Sequence, residues 1–554
     1  MNKLLGHCRA GVIVICLATL SIPALSQIDN PAAQQQQRNE ENLRRKEIQE
    51  RMLNAPGFTS PLEILPPTEQ NIPLNNNLSF YLTTLNFSES SWLTKSELDS
   101  IKAKYEGQQV TFTDLKALID GVNALYRSKG IITAKAVLPA QKIVEGEVSI
   151  LLVEGRVGAI SLDGNSSTHD SYILNRLAIS ENELIDTKKL EQELIKFNRM
   201  QDIRIKAQLE KGDSFGLTNL LLNVQEPKKH EFEAYANNTG TDETGNYRFG
   251  FSYFNNSLMG IRDKFGLSLL GSTGDKGIVL AYDMPISFSG DRLSFNFIKD
   301  DLDINSEAFA DLDIEATSTN AAIEYSRPLK VDAKKQLNVV AGYELRTADT
   351  HLDGFLVQES EVNSIPIGID YEHFDSASAF YSRLRYTIGG EKLFDKRHFS
   401  KLNLSTTYIY RKNQDVNIIV NFSGQKTSSA NLPSGQGFQI GGATTVRGYN
   451  EGLISGDEGA FINLEIHHNI STPALDADPN KSLALMLFAD RGYSRPHKSS
   501  DYPEESNLLG SIGLGFQFNY ARSLLASIVV GIPVVTDDSI EDRWRAHFNL
   551  VYRL

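Results

Sequence analysis

An arginine on a glycine-flanked turn is the side chain of this sequence best suited to a specific polar contact. Arg447 lies in the run Phe438–Gly459, which reads FQIGGATTVRGYNEGLISGDEG, and Gly448 follows it directly. The guanidinium presents its N–H donors in a planar fork that matches the two oxygens of a carboxylate. A guanidinium on such a turn can therefore reach inward and form a two-point contact with an acidic side chain.

Catalytic motifs are less well supported. The run Gly212–Gly216 matches the nucleophile motif G-x-S-x-G, but that motif requires a turn from a strand into a helix. Two short predicted strands flank the run here, so a plain hairpin turn is the alternative. His467 and His468 are adjacent in a predicted strand, and their rings therefore face opposite sides. We predict no enzymatic activity, no metal site and no cofactor.

The strands that would position these residues are predicted from residue 228 to 554, where apolar and polar residues alternate as in a transmembrane antiparallel β-barrel. In any one strand, the same alternation could instead place the apolar face on the core of a soluble sandwich. The region accommodates about 16 strands at roughly 20 residues per strand and turn. Apolar members of three such strands are Tyr247, Phe249, Phe251 and Tyr253; Val339, Ala341, Tyr343 and Leu345; and Ile512, Leu514, Phe516 and Phe518.

The N-terminus has the pattern of a cleavable secretory signal over residues 1–26. Lys3 and Arg9 accompany an apolar stretch from Gly11 to Leu20, and Ala24–Ser26 fits a cleavage site. No internal stretch approaches the roughly 20 apolar residues that a spanning helix needs. A membrane domain in this chain must then be a barrel, because only helices and closed barrels satisfy every backbone hydrogen bond in lipid.

Cleavage of this signal would leave a chain without cysteine, because Cys8 and Cys16 both lie inside it. A disulfide or a thiolate metal site is then excluded. The segment also holds Lys3 and Arg9 and no acidic residue, so its removal takes the formal net charge from −14 to −16. Nucleic acid is a poor match for such a chain, since phosphate binding depends on a positive surface.

Residues 27–54 are predicted to form a polar helix, because the run 31–54 is rich in helix formers and poor in apolar side chains. A disordered polar spacer is the alternative on composition alone. Residues 55–74 are predicted to form a stiff, extended linker. Its prolines are Pro56, Pro61, Pro66, Pro67 and Pro73.

Residues 75–154 and 155–227 have the mixed periodicity of two small α+β domains. In the first, we predict a strand, two helices and two strands, with a capping box at Thr94–Glu97. Its second helix begins near Thr113 and ends before Gly130. The second domain repeats this pattern in shorter form, with a helix that carries Leu190, Leu194 and Phe197 and a strand that carries Ile203, Ile205, Ala207 and Leu209.

The loop run resembles the sixth extracellular loop of the Omp85 superfamily. Its hallmark is the tetrapeptide Val446, Arg447, Gly448 and Tyr449. The flanking pairs Gly441-Gly442 and Gly456-Asp457 are similar to those of two-partner secretion translocators, the TpsB or ShlB/FhaC/HecB-type haemolysin secretion/activation proteins. This resemblance implies POTRA domains at 75–154 and 155–227 and an outer-membrane β-barrel at 228–554 with a long loop at 430–457.

The resemblance also implies a partner for the arginine. Phe488, Asp490 and Gly492 match the F-x-D-x-G element of the superfamily, whose aspartate meets the loop arginine inside the barrel. Asp490 follows Ala489, which is predicted to face outward, so Asp490 is predicted to point inward. The alternative is that Arg447 and Asp490 are two charges among the many that a polar barrel interior holds.

A further acidic residue could join this pair. Glu465 is predicted to face the lumen together with Asn463 and His467. The sequence assigns no role to these three residues beyond that shared face.

In function, the resemblance implies a translocator in the outer membrane of a Gram-negative bacterium. Its POTRA domains, in the periplasm, would recognise an unfolded TpsA exoprotein such as an adhesin, haemolysin or contact-dependent toxin. The barrel would thread this protein to the cell surface without ATP, after the helix at 27–54 has left the lumen that it plugs. Further expected partners are outer-membrane lipid and, during biogenesis, the barrel-assembly machinery and periplasmic chaperones. An Omp85-type insertase that assembles outer-membrane proteins is the alternative.

Overall fold

The computed structural model describes residues 30–53, 61–64, 79–304, 313–392, 397–478, 480–497, 507–521, 523–535 and 544–554. The predicted signal peptide at 1–26 and most of the predicted linker at 55–74 lie outside these residues. The described chain forms two compact units. One holds Pro61 to Pro227 together with Gly260–Arg262, and the other holds the remaining described residues.

Helix α1 (Pro31–Leu53) belongs to the same unit as the C-terminal strands. Asn30 caps its start, because the Asn30 side-chain oxygen accepts the main-chain N–H of Ala33 at 2.9 Å. Pro31 suits the first helical position, where a backbone N–H has no partner within the helix. Among the described residues, no helix is long and apolar enough to cross a membrane.

The first domain of the other unit combines two helices with short strands. Its elements, after strand β1 (Leu62–Ile64), are β2 (Ser79–Leu82), β3 (Thr84–Phe87), α2 (Lys95–Lys102), β4 (Gln108–Thr111), α3 (Phe112–Ser128), β5 (Ala134–Val137) and β6 (Glu147–Glu154). The predicted capping box is present at the start of α2. The sequence predicted one strand where the structure has β2 and β3, and it did not predict β4. Each of these strands has four residues and spans too few alternations to be recognised. The core is formed where α3 packs its buried face on the sheet β3-β6-β5.

The second domain contains β7 (Arg156–Asp163), α4 (Asp170–Leu177), α5 (Thr187–Met200), β8 (Arg204–Lys211) and β9 (Leu217–Gln225). Its sheet has the order β1-β8-β9-β7. The eight-residue helix α4 was not predicted, because it is too short for a clear helical period.

A hairpin turn between β8 and β9 contains the run that matches G-x-S-x-G. Gly216 ends the run with a φ of 84°, a left-handed conformation that suits glycine. No helix follows the turn, since β9 begins at Leu217. The run is therefore the plain hairpin and lacks the strand-to-helix geometry of a nucleophile elbow.

Sixteen antiparallel strands close into a barrel in the first unit, which confirms the predicted architecture. They are β10 (His230–Asn237), β11 (Arg248–Asn255), β12 (Lys264–Gly271), β13 (Asp275–Pro285), β14 (Arg292–Ile304), β15 (Ile314–Val331), β16 (Lys335–Leu352), β17 (Phe355–Phe374), β18 (Ser378–Glu391), β19 (His398–Arg411), β20 (Val416–Thr427), β23 (Glu458–Asn469), β24 (Lys481–Arg495), β25 (Asn507–Tyr520), β26 (Leu524–Pro533) and β27 (Arg545–Arg553). Between β20 and β23 lies a small hairpin of β21 (Phe438–Ile440) and β22 (Ile454–Gly456). A short helix, α6 (Pro473–Asp476), precedes β24.

The alternation of side chains gives the barrel an apolar outer face and a polar inner face. Phe249 is 64% exposed on the outside of β11, whereas its neighbour Arg248 is 7% exposed. On β25, Leu514 is 48% exposed. Because alternate residues of a strand face opposite sides, the exposed apolar residues form the band that contacts lipid.

Helix α1 occupies the barrel lumen. It packs against the inner faces of β14, β15, β18 and β19. Near its start, Ala32 packs with Leu302 and Ala316. Towards its other end, Ile48 packs on the inward-facing cluster Phe374, Ala379, Tyr381, Ile409 and Ile419. The helix thus spans the lumen along most of the length of its wall.

Candidate functional site in the barrel lumen

The long loop between β20 and β23, residues 428–457, folds back into the lumen and is called the lumenal loop below. Its hairpin pairs Phe438 with Gly456 and Ile440 with Ile454. Its apolar side chains share a small core with two strand residues. The buried members of this core are Phe438, Ile440, Val446, Tyr449, Phe461 and Leu509. This core holds the tip of the loop, where Val446 and Tyr449 are fully buried.

At that tip, Arg447 and Asp490 are in direct contact. The guanidinium donates from Nε to Asp490 Oδ2 and from Nη2 to Asp490 Oδ1, each at 2.7 Å. The main-chain N–H of Arg447 also donates to Asp490 Oδ2, at 3.0 Å. The contact is the two-point fork expected of arginine and a carboxylate, and the backbone bond fixes the loop at the same position.

Glu465 joins this pair. Arg447 Nη1 donates to Glu465 Oε1 at 2.7 Å, so one guanidinium bridges two carboxylates. The other oxygen of Glu465 lies 2.7 Å from Nε2 of His467. All four side chains are at most 9% exposed, and the charges therefore interact with little screening by water.

The register of β23 and β24 places these residues side by side. Asn463 pairs with Asp490 across the two strands, and Glu465 pairs with Phe488. Asn463 donates to Asp490 Oδ1 at 2.9 Å and also to the main-chain oxygen of Thr445. The sequence placed Asn463 on the lumenal face but gave no sign that it ties the aspartate to the loop backbone.

An aromatic ring covers one face of the guanidinium. The guanidinium carbon of Arg447 lies 3.7 Å from the centroid of the Phe488 ring. This is a cation–π contact, which stabilises a charge more strongly when water is excluded. The aromatic residue of the F-x-D-x-G element thus supports the arginine, while its aspartate binds it.

The two glycines of the motifs allow the loop tip to approach the wall closely. Gly448 has a φ of 94°, and a Cβ on it would lie 2.9 Å from the carbonyl carbon of Gly531 on β26. A Cβ on Gly492 would lie 2.8 Å from Phe461 Cβ and 3.0 Å from Val446 Cγ2. Any larger residue at Gly448 or Gly492 would push the loop away from the strands.

Tyr449 fixes the loop tip to a second part of the wall. Its hydroxyl lies 2.8 Å from the carbonyl oxygen of Gly510 and 2.6 Å from that of Val535. Gly510 lies near the start of β25, and Val535 follows the end of β26. All members of the motif Val446–Tyr449 therefore contribute to docking, by packing, by charge, by close approach and by hydrogen bonding in turn.

Helix α1 contacts the same loop just before the motif. Arg45 donates from Nη1 to the main-chain oxygen of Thr444 at 2.6 Å, and the Thr444 hydroxyl donates to Asn42 Oδ1 at 2.6 Å. The Arg45 guanidinium also lies 4.4 Å from the Phe461 ring centroid. Thr444 precedes Arg447 by three residues. Sequence patterns alone gave no signal for this helix–loop contact.

Polar contacts also connect α1 to the barrel wall. Gln36 donates to the main-chain oxygen of Ile298 at 3.2 Å and accepts from Ser318 Oγ at 2.9 Å. Glu40 forms an ion pair with Arg346 at 3.1 Å. Apart from the small apolar contacts at its two ends, the helix is held largely by side-chain hydrogen bonds and charge.

A second anchor holds the start of the lumenal loop. The carboxylate of Asp457 accepts the main-chain N–H of Leu432 at 2.7 Å, of Asn431 at 3.0 Å and of His497 at 2.8 Å. The neighbouring Glu458 accepts from Lys426 and Arg495. Among the described residues, no group of three or more His, Cys, Asp and Glu side chains is arranged to hold a metal ion.

Comparison with known proteins places this chain in a family. Residues 216–518 match the model described as haemolysin secretion/activation protein ShlB/FhaC/HecB, and residues 80–155 match the ShlB-type POTRA domain. The assignment of 155–227 as a second POTRA domain stays a prediction.

Relatives with similar sequences include heme/hemopexin transporter protein HuxB of Haemophilus influenzae (strain 86-028NP), with 26% identity over 82% of this chain and 82% of that protein. Outer membrane transporter CdiB of Dickeya dadantii (strain 3937) has 22% identity over 94% of this chain and 95% of that protein.

Solved structures share the fold. CdiB from Escherichia coli superimposes with a TM-score of 0.64 at 19% identity, covering 94% of this chain and 98% of that one. BamA from Haemophilus ducreyi, lacking POTRA domains 1–3, gives a TM-score of 0.52 at 13% identity, covering 86% of this chain and 100% of that one. The chain is a member of the ShlB/FhaC/HecB haemolysin secretion/activation family, the TpsB-type outer-membrane transporters of two-partner secretion.

Proposed function

We propose that this transporter recognises an unfolded TpsA-type exoprotein through its periplasmic POTRA domains and threads it through the barrel to the cell surface without ATP. The expected cargo is an adhesin, a haemolysin or a contact-dependent toxin. The relatives named heme/hemopexin transporters add a cargo linked to heme or hemopexin as a further candidate.

The observation that carries this proposal is the polar character of the contacts between α1 and its surroundings. Gln36, Glu40 and Arg45 each bind the wall or the loop through side-chain hydrogen bonds. A neutral bond of this kind contributes about 0.5–1.5 kcal/mol net and one to a charged group about 1.5–3 kcal/mol, because water or an incoming peptide can replace it. A plug held in this way can leave the lumen without exposing a large apolar surface.

The lumenal loop would then lie beside the path of the exported polypeptide. Arg447 holds the loop tip to the wall through Asp490 and Glu465, independently of the contacts that α1 makes with Thr444. Departure of the helix therefore removes one set of loop contacts and leaves the other. The loop would remain anchored beside the channel while an extended polypeptide passes.

The sequence supports the part of this proposal that concerns transport without ATP. The sequence holds no nucleotide-binding loop, and ATP is not expected in the periplasm where cargo is captured. Folding of the cargo outside the cell would supply the direction of movement, since a folded domain cannot re-enter a channel that admits extended chain.

Insertion of other barrels into the membrane is the rival function. It would require two neighbouring strands to part so that a new strand can leave sideways. The seam between β10 and β27 is closed by five register pairs, from Glu233 with Arg553 to Asn237 with Asn549. Asn238 adds two bonds across it, one to Ala546 O and one from Phe548 N, each at 2.8 Å. This closure favours passage along the lumen.

The test is export of a defined cargo. The N-terminal part of a TpsA-type exoprotein, sought among the genes beside this one, is co-expressed with the full chain in a Gram-negative host, and cargo in the medium or accessible to protease on the cells is quantified. We expect export that depends on this chain. Absence of export from cells that hold an assembled barrel would contradict the proposal and favour the insertase.

A further inference from the structure

A groove interrupts the outer face of the barrel over strands β13 to β16. Its volume is about 440 Å³. The strand register places two neighbouring rows of outward-facing side chains along it. In one row, Ala321 lies between Phe297 and Leu345, and in the other Ile323 lies between Phe295 and Tyr343. Ala321 is the one small side chain among these six, so the wall is hollow where a larger residue would fill it.

The rim of the groove is held in place. The Tyr343 hydroxyl donates to Asn363 Oδ1 on β17 at 2.5 Å, which fixes the ring beside Ile323. Phe295 and Phe297 follow each other on the same face of β14, because alternate residues of a strand point the same way. The hollow therefore has aromatic walls on two sides and the short side chain of Ala321 at its floor.

The next row towards the end of β14 is polar and marks the border of the lipid-facing band. It contains Lys299, Thr319 and Thr347, which pair from strand to strand. Because β10 follows the periplasmic domains in the chain and the strands alternate in direction, β14, the fifth strand, runs towards the cell surface. The polar row therefore lies at the headgroup level of the outer leaflet, and the groove lies below it among acyl chains.

Lys299 is the cation nearest to the groove in this row. It lies two residues from Phe297, roughly 7 Å along the strand. Its ammonium contacts Asp301 at 2.9 Å, and Lys276 lies 3.8 Å from Asp303 on the same outer surface. Both side chains of the Lys299–Asp301 pair are 43% exposed. An exposed ion pair of this kind contributes little to stability, so the ammonium can turn to another anion.

The surroundings select the occupant. A groove within the lipid-facing band meets acyl chains and no water. A chain lying over Ala321 would contact protein on several sides, whereas a chain on the smooth wall contacts it on one, and each added contact gains dispersion energy. The volume falls within the roughly 300–1,000 Å³ of ordinary ligand sites. A lipid whose acyl chain fills the hollow brings its headgroup to the level of Lys299.

We propose that this groove binds one phosphate-bearing membrane lipid of the outer leaflet, with an acyl chain over Ala321 and the headgroup phosphate at Lys299. The ligand is a resident lipid that stays with the protein while the surrounding lipids exchange. The site is separate from the lumen and does not depend on which polypeptide the barrel exports.

The first measurement compares two tryptophan reporters on the outer face. Trp92→Phe and Trp544→Phe remove the native tryptophans. Phe295→Trp reports on the groove, and Phe516→Trp is the control, since the two positions are 42% and 41% exposed. Phe516 lies between Leu485 and Ile528, two large side chains, on the far wall. The purified full chain in detergent is titrated with phosphatidylglycerol brominated on its acyl chains, which quenches tryptophan on contact.

Quenching of the groove reporter should reach half its maximum at a lipid fraction at least about ten-fold lower than quenching of the control reporter. Equal titration curves at the two positions would show non-specific lipid contact only and overturn the proposal. This comparison requires no change at the floor of the groove. Heat-modifiable migration on gels verifies that each variant forms a barrel.

The second measurement fills the groove and removes the cation. Ala321→Phe should shift the groove reporter to the curve of the control reporter, whereas Ala526→Phe, at an outward alanine between Phe518 and Leu550, should leave it unchanged. An unchanged curve for Ala321→Phe would overturn the acyl site. Lys299→Gln should weaken quenching by brominated phosphatidylglycerol at least about three-fold and leave quenching by brominated diacylglycerol, which has no phosphate, unaltered. Equal effects on the two lipids would overturn the contact between Lys299 and the phosphate.

Discussion

The guanidinium of Arg447 and the carboxylate of Asp490 form a forked contact with both N–H···O distances at 2.7 Å, although 43 residues separate them in the sequence. Asp490 is 4% exposed and Arg447 is 6% exposed. Burial makes the pair sensitive to the loss of either partner, because the remaining charge would then lie unpaired in a site with little water.

Arg447→Ala should leave the barrel assembled and impair secretion. Loss of one partner of a buried ion pair costs about 3–5 kcal/mol, and here both Asp490 and Glu465 would be left without their cation. The loop tip should therefore detach from the wall. Cargo export is measured alongside heat-modifiable migration of the barrel on gels, and normal export at normal barrel abundance would refute this role.

Arg447→Lys serves as the charge-matched variant for the same site. Lysine keeps the positive charge, but a single ammonium cannot reproduce the fork and cannot stack on Phe488 in the same way. We expect export well below wild type and above that of Arg447→Ala. Full activity of the lysine variant would show that charge alone is sufficient and that the two-point geometry is not required.

Gly448→Ala should displace the loop tip through a clash of backbone with backbone. The new Cβ would lie 2.9 Å from the carbonyl carbon of Gly531 and 3.0 Å from its oxygen, neither of which can rotate away. Gly354→Ala is the control, since Gly354 also has a positive φ, of 78°, but nothing lies within 4 Å of the added Cβ. Proteolysis of the lumenal loop in the purified chain should accelerate for Gly448→Ala alone.

Arg45→Ala should weaken the binding of helix α1 to the lumenal loop. It removes a 2.6 Å hydrogen bond to Thr444 and the contact with the Phe461 ring, a loss of about 1–3 kcal/mol in total. The helix should leave the lumen more often, and openings in planar bilayers should become more frequent. Leu43→Ala, at a 43% exposed position of the same helix, should conduct like wild type. Identical opening rates for the two variants would contradict the coupling.

The first periplasmic domain should lose stability in acid through Glu154. Burial favours a raised pKa for this carboxyl, but hydrogen bonds from Ser90, Tyr126 and the main-chain N–H of Ser91 and Trp92 outweigh it and hold the pKa below the ordinary 4.5. A depressed folded-state pKa gives stability that is fully present above pH 4.5 and is lost as the pH falls through the folded value.

Glu154→Gln tests this linkage. Amide replacement should lower the free energy of unfolding at neutral pH by about 1 kcal/mol, after allowance for solvent exposure. The difference from wild type should shrink as the pH falls below 4.5 towards the depressed pKa of the folded-state carboxyl. Fluorescence of Trp92, whose main-chain N–H donates to Glu154 Oε1 at 3.3 Å, follows unfolding. The exposed Glu89→Gln is the control, and an equal loss in that variant at neutral pH would contradict the assignment.

Much of the fold was available from local periodicity. Strand alternation predicted the barrel and about 16 strands, because a pleated strand in lipid must send every second side chain outward. Local periodicity did not predict the shortest elements. β4 and α4, of four and eight residues, complete too few periods to differ from loop, and they form because their apolar residues reach a core built by distant segments.

The sequence by itself determined the kind of protein: the alternating strands, the glycines and arginine of the loop motif, and the inward aspartate that matches it. Each of these depends on neighbours in the chain. Only the tertiary structure decided which strands of the barrel wall the lumenal helix packs against, that Asn463 joins Arg447 and Asp490, and that Leu62–Ile64 covers the β8 edge. Arg45 and Thr444 are 399 residues apart, and Leu62 is 145 residues from Ala207. Such contacts arise from closure of the barrel and sheet around particular partners, which no local pattern of residues encodes.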